Sequence, residues 1–171
     1  MTGRSYAHID LRRVGPDDWV LWRQLRLEAL EEAPHAFSSK LTDWQGERDA
    51  ESRWRSRLSD VPFNIVGYLE RNAAGMVSAT APEDGTIELI SMWVAPFARG
   101  HGVGNALIRA VTAWSAEQGV ARIALVVFEN NPHAIALYRR HGFTDYGAIA
   151  TGGSGFPPER KMICDLKGWR P

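Results

Sequence analysis

The chain has 171 residues, and its 20 Lys plus Arg balance 20 Asp plus Glu, so its formal net charge at pH 7 is zero. This balance argues against a domain that coats DNA or RNA, because such domains bind phosphate through an excess of cationic side chains. The length and the 44% hydrophobic content predict one globular domain over 1–171, with short tails at 1–6 and 168–171. The single cysteine, Cys164, excludes an internal disulfide and a zinc site built on several cysteines.

No segment of the sequence is typical of a secretory signal or a membrane span. Residues 1–11 carry Arg4, His8 and Asp10 and lack an apolar core. The longest strongly apolar run, 123–128, is far shorter than the roughly 20 residues that cross a bilayer. We therefore expect a cytoplasmic protein without a membrane partner.

The first 60 residues predict one strand and two helices. Alternating apolar residues predict a strand over 9–14, and Gly-Pro-Asp-Asp at 15–18 is typical of a helix start, with proline in the first turn. Apolar residues at helical spacing continue this first helix to Pro34. The charged segment 42–60, with tryptophans on it, predicts a second, exposed helix.

From residue 63 onward the pattern changes to strands and buried helices. Three strands joined by short turns predict an antiparallel meander over 63–69, 76–80 and 86–94. A helix, a strand buried on both faces, another helix and two final strands follow at 102–118, 123–128, 131–142, 143–150 and 160–166. This order predicts an α/β domain around one mixed sheet.

A glycine-rich turn between a strand and a helix is the segment with the clearest chemical meaning. Arg99-Gly100-His101-Gly102-Val103-Gly104 follows a strand that ends at Pro96. Such a turn presents free backbone N–H groups and the positive end of a helix dipole, which suits a phosphate or pyrophosphate. The glycine spacing differs from the dinucleotide fingerprint, and the absence of Gly-Lys-Ser/Thr excludes a Walker A loop. A plain tight turn is the alternative.

Three motifs together resemble the GNAT acetyltransferase superfamily. Residues 99–104 are similar to its coenzyme A pyrophosphate loop, Q/R-x-x-G-x-G/A. Residues 131–143 are similar to its N-x-x-A-x-x-L-Y-x-x-x-G-F segment, and Glu159-Arg160-Lys161-Met162 to its terminal E-x-x-M signature. The resemblance extends over 9–166, nearly the whole chain. It implies a single-domain GNAT fold with about seven strands and about four helices. The sheet of this fold is splayed open between its two central parallel strands.

The resemblance implies acetyl-CoA as co-substrate and assigns residues to it. Backbone groups of 92–94 would bind the pantetheine arm as an added strand, and the glycine-rich loop would hold the pyrophosphate. The implied cofactor-binding residues are Met92, Trp93, Val94, Arg99, Gly100, His101, Gly102, Val103, Gly104, Asn105, Asn131 and Tyr138. For Asn131 a helix N-cap explains the residue equally well, and for Arg99 an exposed side chain does.

Two residues are candidates for proton transfer during acetyl transfer to an amine. The position of Tyr138 in the family motif implies that its hydroxyl protonates the departing coenzyme A thiolate. Glu88, in the strand before the loop, is the candidate general base that removes a proton from the amine. The alternatives are a core tyrosine and a strand-end glutamate that Thr80 or a basic neighbour satisfies.

The acceptor is the least defined part of the prediction. Phe37, Trp44 and Trp54 fall in the region that forms the acceptor wall in the family, although helix packing explains each of them equally well. A small-molecule or peptide amine is expected to attack the thioester directly, because no cysteine or serine lies in the motifs. The five histidines lack metal-binding spacing, so no metal is expected. Members of the family that the chain resembles often form homodimers, and the alternative function is a non-catalytic acyl-CoA-sensing module of the same fold.

The balanced charge is unevenly distributed along the chain. Residues 61–98 hold 1 basic and 4 acidic side chains, whereas 99–171 hold 9 and 5. The positive excess falls on the segment assigned to a polyanionic co-substrate, and the negative excess falls near Glu88. The counts are therefore compatible with a cationic amine that arrives at that glutamate.

Overall fold

A seven-stranded mixed sheet forms the centre of the computed structural model, which describes residues 8–151 and 155–167. Its strands are β1 (Ile9–Arg13), β2 (Phe63–Leu69), β3 (Asn72–Ala79), β4 (Thr86–Val94), β5 (Arg122–Phe128), β6 (Thr144–Asp145) and β7 (Glu159–Asp165). The α-helices of the described residues are α1 (Trp19–Glu32), α2 (Glu51–Asp60), α3 (Val103–Glu117) and α4 (Pro132–Arg140). The sheet order is β1-β2-β3-β4-β5-β7-β6, so the predicted mixed α/β fold is confirmed. The predicted tails at 1–6 and 168–171 lie outside the described residues.

The helices cover the two faces of the sheet in pairs. Side chains of α3 and α4 pack with the sheet in one hydrophobic cluster, which includes Leu107 and Tyr138. Side chains of α1 and α2 form a second cluster around Trp22 and Trp54. Neighbouring residues of β3, such as Met76 and Val77, enter different clusters, because successive side chains of a strand point to opposite faces. The two clusters therefore lie on opposite sides of the sheet.

The predicted helix over 42–60 is wrong in its first half. Two short 3-10 turns, Leu41–Trp44 and Gly46–Arg48, precede α2. Gly46 has φ +62°, a left-handed conformation that interrupts a right-handed helix. The segment is also less exposed than predicted, because the side chain of Trp54 is fully buried.

Two strand boundaries also differ from the prediction. β3 begins at Asn72 and not at Met76, because Glu70, with φ +57°, and its neighbour make the turn by themselves. The predicted strand over 143–150 contains only the two residues of β6, followed by an isolated bridge from Ala150. Gly147, with φ +76°, lies between these two pairing sites, where an extended strand residue would have negative φ.

The parallel strands β4 and β5 pair over a short distance and then separate. Their register runs from Thr86 opposite Arg122 to Glu88 opposite Ala124, and no pairing between them is present beyond that point in the described strands. β5 instead pairs along its whole length with β7. Val126 is 49% exposed, which corrects the prediction that this strand is buried on both faces. The separation opens the sheet at its centre.

A β-bulge in β4 lies where the strands separate. Ser78 of β3 pairs with Ile90 and Met76 pairs with Trp93, so that two residues of β4 oppose one of β3. Ser91, one of these two, has φ +54°, which costs a non-glycine residue about 1–3 kcal/mol. The extra residue reverses which side chains face α3: Leu89 does so before the bulge, and Met92 does so after it.

Asp49 connects α1 to α2, because it bonds both Arg23 of α1 and the buried indole of Trp54 in α2. This contact makes the stability of the fold depend on pH. The Asp49 carboxylate accepts hydrogen bonds from Arg23 Nε (2.6 Å) and Trp54 Nε1 (2.8 Å), which lower the pKa of Asp49 from 3.8 to about 2. A folded pKa below the unfolded one stabilises the protein above about pH 4, and this contribution is lost as the pH falls toward 2. Asp49→Asn is expected to lower the Tm at pH 6, with a difference from wild type that narrows as the pH falls. Melting curves between pH 6 and pH 2.5 check this, and a constant difference would contradict it.

Candidate active site

A cleft of about 1080 Å³ occupies the opening between β4 and β5 and continues through the sheet to the α1 and α2 side. Its lining includes nearly every residue that the sequence motifs single out. Those residues are Phe37, Trp44, Trp54, Glu88, Met92, Trp93, Val94, Arg99, Gly100, Gly102, Gly104, Asn105, Asn131 and Tyr138. Of the predicted site residues, His101 and Val103 do not line the cleft. Val103 is buried in the core, and the imidazole of His101 bonds the carbonyl oxygen of Arg99 at 3.0 Å.

The glycine-rich loop is shaped by two residues with left-handed backbone. Gly100 has φ +80°, and Gly102 has φ +92° and is the N-cap of α3. The N–H groups of 103–105 fall in the first turn of this helix, where no carbonyl lies one turn earlier to accept them. A Cβ on Gly104 would lie 3.1 Å from Leu137 Cδ2, so this glycine permits close contact between α3 and α4. The loop therefore directs several backbone donors and a helix N-terminus at one end of the cleft.

Arg99 is not a free cation of this loop. Its guanidinium donates to the carbonyl oxygen of Val94 at 3.0 Å and to Glu32 Oε2 at 2.7 Å. Trp93 Nε1 donates to the same carboxylate oxygen at 3.0 Å. Arg99 and these hydrogen bonds hold the pKa of Glu32 below its ordinary value. Glu32 was missed from the sequence because no motif marks the last residue of α1.

The edge of β4 that faces the opening carries backbone groups without a strand partner. Beyond Glu88, neither β5 nor another described strand pairs with this edge. Met92 and Val94 pack toward α3, and Trp93 packs on the opposite face among the residues of α1 and α2. An extended ligand in the opening would find these backbone groups available for strand-like hydrogen bonds.

Two residues of the α4 region contribute to the cleft from the other wall. Asn131 Oδ1 accepts from the backbone N–H of Ala134 at 3.1 Å, which confirms its predicted role as N-cap. Tyr138 is buried, and its ring lies 5.7 Å from that of Phe143. Burial raises the pKa of Tyr138 well above its ordinary value, so its hydroxyl keeps its proton at neutral pH.

Glu88 lies at the point where β4 and β5 stop pairing. It is an exposed residue that lines the cleft, so it does not carry the burial cost that a carboxylate inside an apolar strand would have. Thr80 Oγ1 accepts a hydrogen bond from the backbone N–H of Glu88 at 3.0 Å, and the carboxylate is not involved. Strand alternation places Glu88 and Ile90 on the face that α1 and α2 cover.

Aromatic rings form the wall of the cleft on the side of the sheet that α1 and α2 cover. Trp44 stacks on Trp54 with ring centroids 4.4 Å apart, and Trp54 is fully buried. Phe37 is buried beneath the guanidinium of Arg26, whose central carbon lies 4.5 Å from the ring centroid. These rings pack between the helices and line the cleft at the same time. Helix packing and a place in the acceptor wall, the two interpretations that the sequence leaves open, are therefore compatible.

Two arginines in this wall, Arg26 and Arg57, were missed from the sequence. Both line the cleft, and Arg26 is only 8% exposed. Arginines at positions 23, 26, 53, 55 and 57 look alike in sequence, and only the fold separates those that face the cleft from those that face solvent.

Neither a metal site nor a membrane span is evident in the part of the chain that the structure describes. Within 8–151 and 155–167, no three His, Cys, Asp or Glu side chains come together as metal ligands would. No helix in these ranges combines the length and the apolar character that a bilayer crossing needs. Cys164 is buried, as predicted, and burial raises the pKa of its thiol.

Comparison with known proteins yields one family and several partial relatives. The model of the acetyltransferase (GNAT) family matches residues 21–143. A mycothiol acetyltransferase of Salinispora tropica is 32% identical over 146 residues, which cover 80% of this chain and 44% of the relative. A spermine/spermidine N(1)-acetyltransferase of Bacillus subtilis is 38% identical over 69 residues, which cover 40% of this chain and 42% of the relative. The chain thus spans less than half the length of these two relatives.

A solved structure agrees with the fold over nearly the whole chain. The PaiA N-acetyltransferase of Thermoplasma acidophilum, solved in complex with coenzyme A, matches with a TM-score of 0.72. The match covers 92% of this chain and 99% of that one at 15% sequence identity. At this identity the likeness establishes the shared fold, and the site must be argued from the residues of this chain.

Proposed function

This chain belongs to the acetyltransferase (GNAT) family, and from that premise we propose that it transfers the acetyl group of acetyl-CoA to a primary amine of a small molecule or peptide. One observation carries the proposal. A single cleft joins the glycine-rich loop, the open edge of β4 and Tyr138 to an aromatic chamber on the other side of the sheet. We use this name for the part of the cleft lined by Phe37, Trp44 and Trp54. Two substrates can therefore meet from opposite sides. The names of two relatives refer to mycothiol and to spermine or spermidine, which are small molecules.

The residues that would hold acetyl-CoA fit its chemistry. The N–H groups at the start of α3 suit a pyrophosphate, because they are free donors at the positive end of a helix dipole. The open backbone edge of 92–94 suits the amide groups of a pantetheine arm. Acetyl-CoA supplies the activated acetyl thioester when it is bound. The chain itself orients this group and exchanges protons around it.

Tyr138 and Glu88 are the proposed proton donor and proton acceptor. The Tyr138 hydroxyl keeps its proton at neutral pH and would give it to the sulfur that leaves. Glu88 lies on the face from which the acceptor would approach, and it would take a proton from the amine directly or through water. Direct transfer is the simpler route. Ser38, Ser39 and Ser91 line the cleft, but among the described residues none of their hydroxyls is hydrogen-bonded to a carboxylate or an imidazole, and that of Ser91 accepts from Arg57.

Thiol release from acetyl-CoA, measured over a panel of primary amines, tests the proposed function. The expected result is multiple turnover with at least one amine and a large loss of that turnover in Tyr138→Phe. Stoichiometric binding of acetyl-CoA without turnover on any amine would contradict the enzyme and favour the acyl-CoA-sensing module.

Glu88→Gln is expected to lower kcat/KM by about tenfold at pH 7, a modest loss for a general base because Glu88 is exposed and water can replace it. The loss should shrink toward pH 10, where the amine is already neutral without help. The pH profile of kcat/KM checks this, and Glu83→Gln, in the turn before β4, is the matched control. An unchanged profile in Glu88→Gln would assign the role of base to another group.

A further inference from the structure

The acceptor end of the cleft contains a buried cation, Arg26, whose Nη1 atom has no partner in the part of the chain that the structure describes. Arg26 is only 8% exposed, and within the described residues its Nη1 atom is inaccessible to solvent and makes no hydrogen bond. Its guanidinium lies over the ring of Phe37, with the central carbon 4.5 Å from the ring centroid, and Arg26 is one of the residues that line the cleft. A cation over an aromatic face gains some attraction, but the N–H groups of Nη1 still have no acceptor among the described residues. An unpaired buried charge is among the most costly groups a protein can hold.

Arg57 adds a second guanidinium to the same chamber. Its hydrogen bonds to described residues go to neutral oxygens, namely Asn64 Oδ1 at 3.2 Å, Ser78 Oγ at 3.1 Å and Ser91 Oγ at 3.2 Å. Ser91 is the bulge residue of β4, so these bonds hold Arg57 beside the point where the central strands separate. Burial is the main cause that lowers the pKa of Arg26, and the positive charge of Arg57 lowers it further.

No carboxylate of the described chain neutralises this pair. Neither guanidinium has an Asp or Glu oxygen within 4.0 Å among those residues. Asp60, on the same helix as Arg57, favours the charged form of Arg57 only from a distance. Glu32 lines the cleft but is already bonded to Arg99 and Trp93. Burial lowers the pKa of both arginines to about 10, so both remain charged at neutral pH.

We propose that the acceptor amine carries an anionic oxygen group, a carboxylate or a phosphate, which Arg26 and Arg57 bind inside the aromatic chamber. The inference rests on the proposed function and narrows its substrate class. Guanidinium groups form charge-assisted hydrogen bonds with such oxygens, and such an anion would give the buried guanidinium of Arg26 a counter-charge. Glu88 lies on the same face of β4, at the same cleft, and would face the amine end of the acceptor. Polycationic amines without an anionic group are then poor acceptors.

Binding of acetylated products tests the inference without requiring turnover. N-acetyl derivatives of the common amino acids are compared with their carboxamides by calorimetry, with coenzyme A present in excess. In a second arm, N-acetyl-2-aminoethyl phosphate is compared with N-acetylethanolamine. We expect the anionic member to bind about 10- to 100-fold more tightly in at least one arm, and the arm with the preference identifies carboxylate or phosphate as the anion. Equal affinities in both arms, or no binding of the anionic members, would overturn the inference.

Arg26→Met separates ligand recognition from a structural role. Methionine replaces the apolar stem of the side chain and removes the guanidinium with its unpaired charge, so the Tm should stay the same or rise while the preference for the anion is lost. Arg23→Met, on the same helix, is the matched control: it removes the ion pair with Asp49, and it should lower the Tm and leave the preference intact. A lower Tm with an unchanged anion preference in Arg26→Met would assign Arg26 to packing. If coenzyme A itself does not bind, the proposed function is wrong. If the protein acetylates neutral amines in preference to their anionic counterparts, the proposed function stands and only this inference is wrong.

Discussion

Tyr138→Phe is expected to lower kcat by about 10²- to 10³-fold, the range of a lost general acid. The hydroxyl is the only group removed, and no hydrogen bond from it to another described residue is present. The remaining ring keeps its contact with Phe143 and its place in the core, so the Tm and the affinity for coenzyme A should change little. Steady-state thiol release, a melting curve and a binding titration on the same preparation check the three parts of this prediction.

Tyr146→Phe is the matched control for this loss. It removes the same hydroxyl from an exposed ring, 48% accessible, that does not line the cleft. We expect this control to retain the kcat of the wild type. If Tyr138→Phe behaves like the control, Tyr138 is a core tyrosine and the proton for the leaving thiolate comes from elsewhere.

Gly102→Val is expected to weaken coenzyme A binding by at least about tenfold, the equivalent of one lost charge-assisted hydrogen bond. Gly102 has φ +92°, which a β-branched residue adopts only with strain, and the loop must move to relieve that strain. This movement displaces the N–H groups at the start of α3. In addition, a Cβ at this position would lie 3.3 Å from Ile9 Cδ1. Calorimetry with coenzyme A measures the loss.

The strain by itself costs about 1–3 kcal/mol of stability, so a control with comparable strain is needed. Gly119, just beyond the other end of α3, has φ +69° and does not line the cleft. Gly119→Val should lower the Tm in a similar way and leave coenzyme A affinity unchanged. Equal affinity losses in the two variants would trace the effect to the stability of the fold and remove the support for the loop assignment.

The loop and the final helix could be predicted from the sequence because their signals are local. Glycines at 100 and 102 adopt the left-handed conformations that the loop pattern implies, and Asn131 caps α4 as its spacing with Pro132 predicts. The number of strands and the open centre of the sheet followed from the resemblance to one family, which the family match over 21–143 supports. The extent of the second helix was mispredicted. Charged residues and tryptophans continue through the whole segment 42–60, so this pattern does not reveal that Gly46 interrupts the helix.

The sequence by itself determined the element order, the glycine-rich loop and the positions of Tyr138 and Glu88, since each depends on residues that are close along the chain. Only the tertiary structure decided which charges meet in the cleft. The local counts placed acidic residues near Glu88, but the fold brings Arg26 and Arg57 from α1 and α2 to the same cleft. It also pairs Arg99 with Glu32, which lies 67 residues away. Charge in a folded site depends on which distant segments pack together and on how far water is excluded, and neither is encoded in a count along the chain.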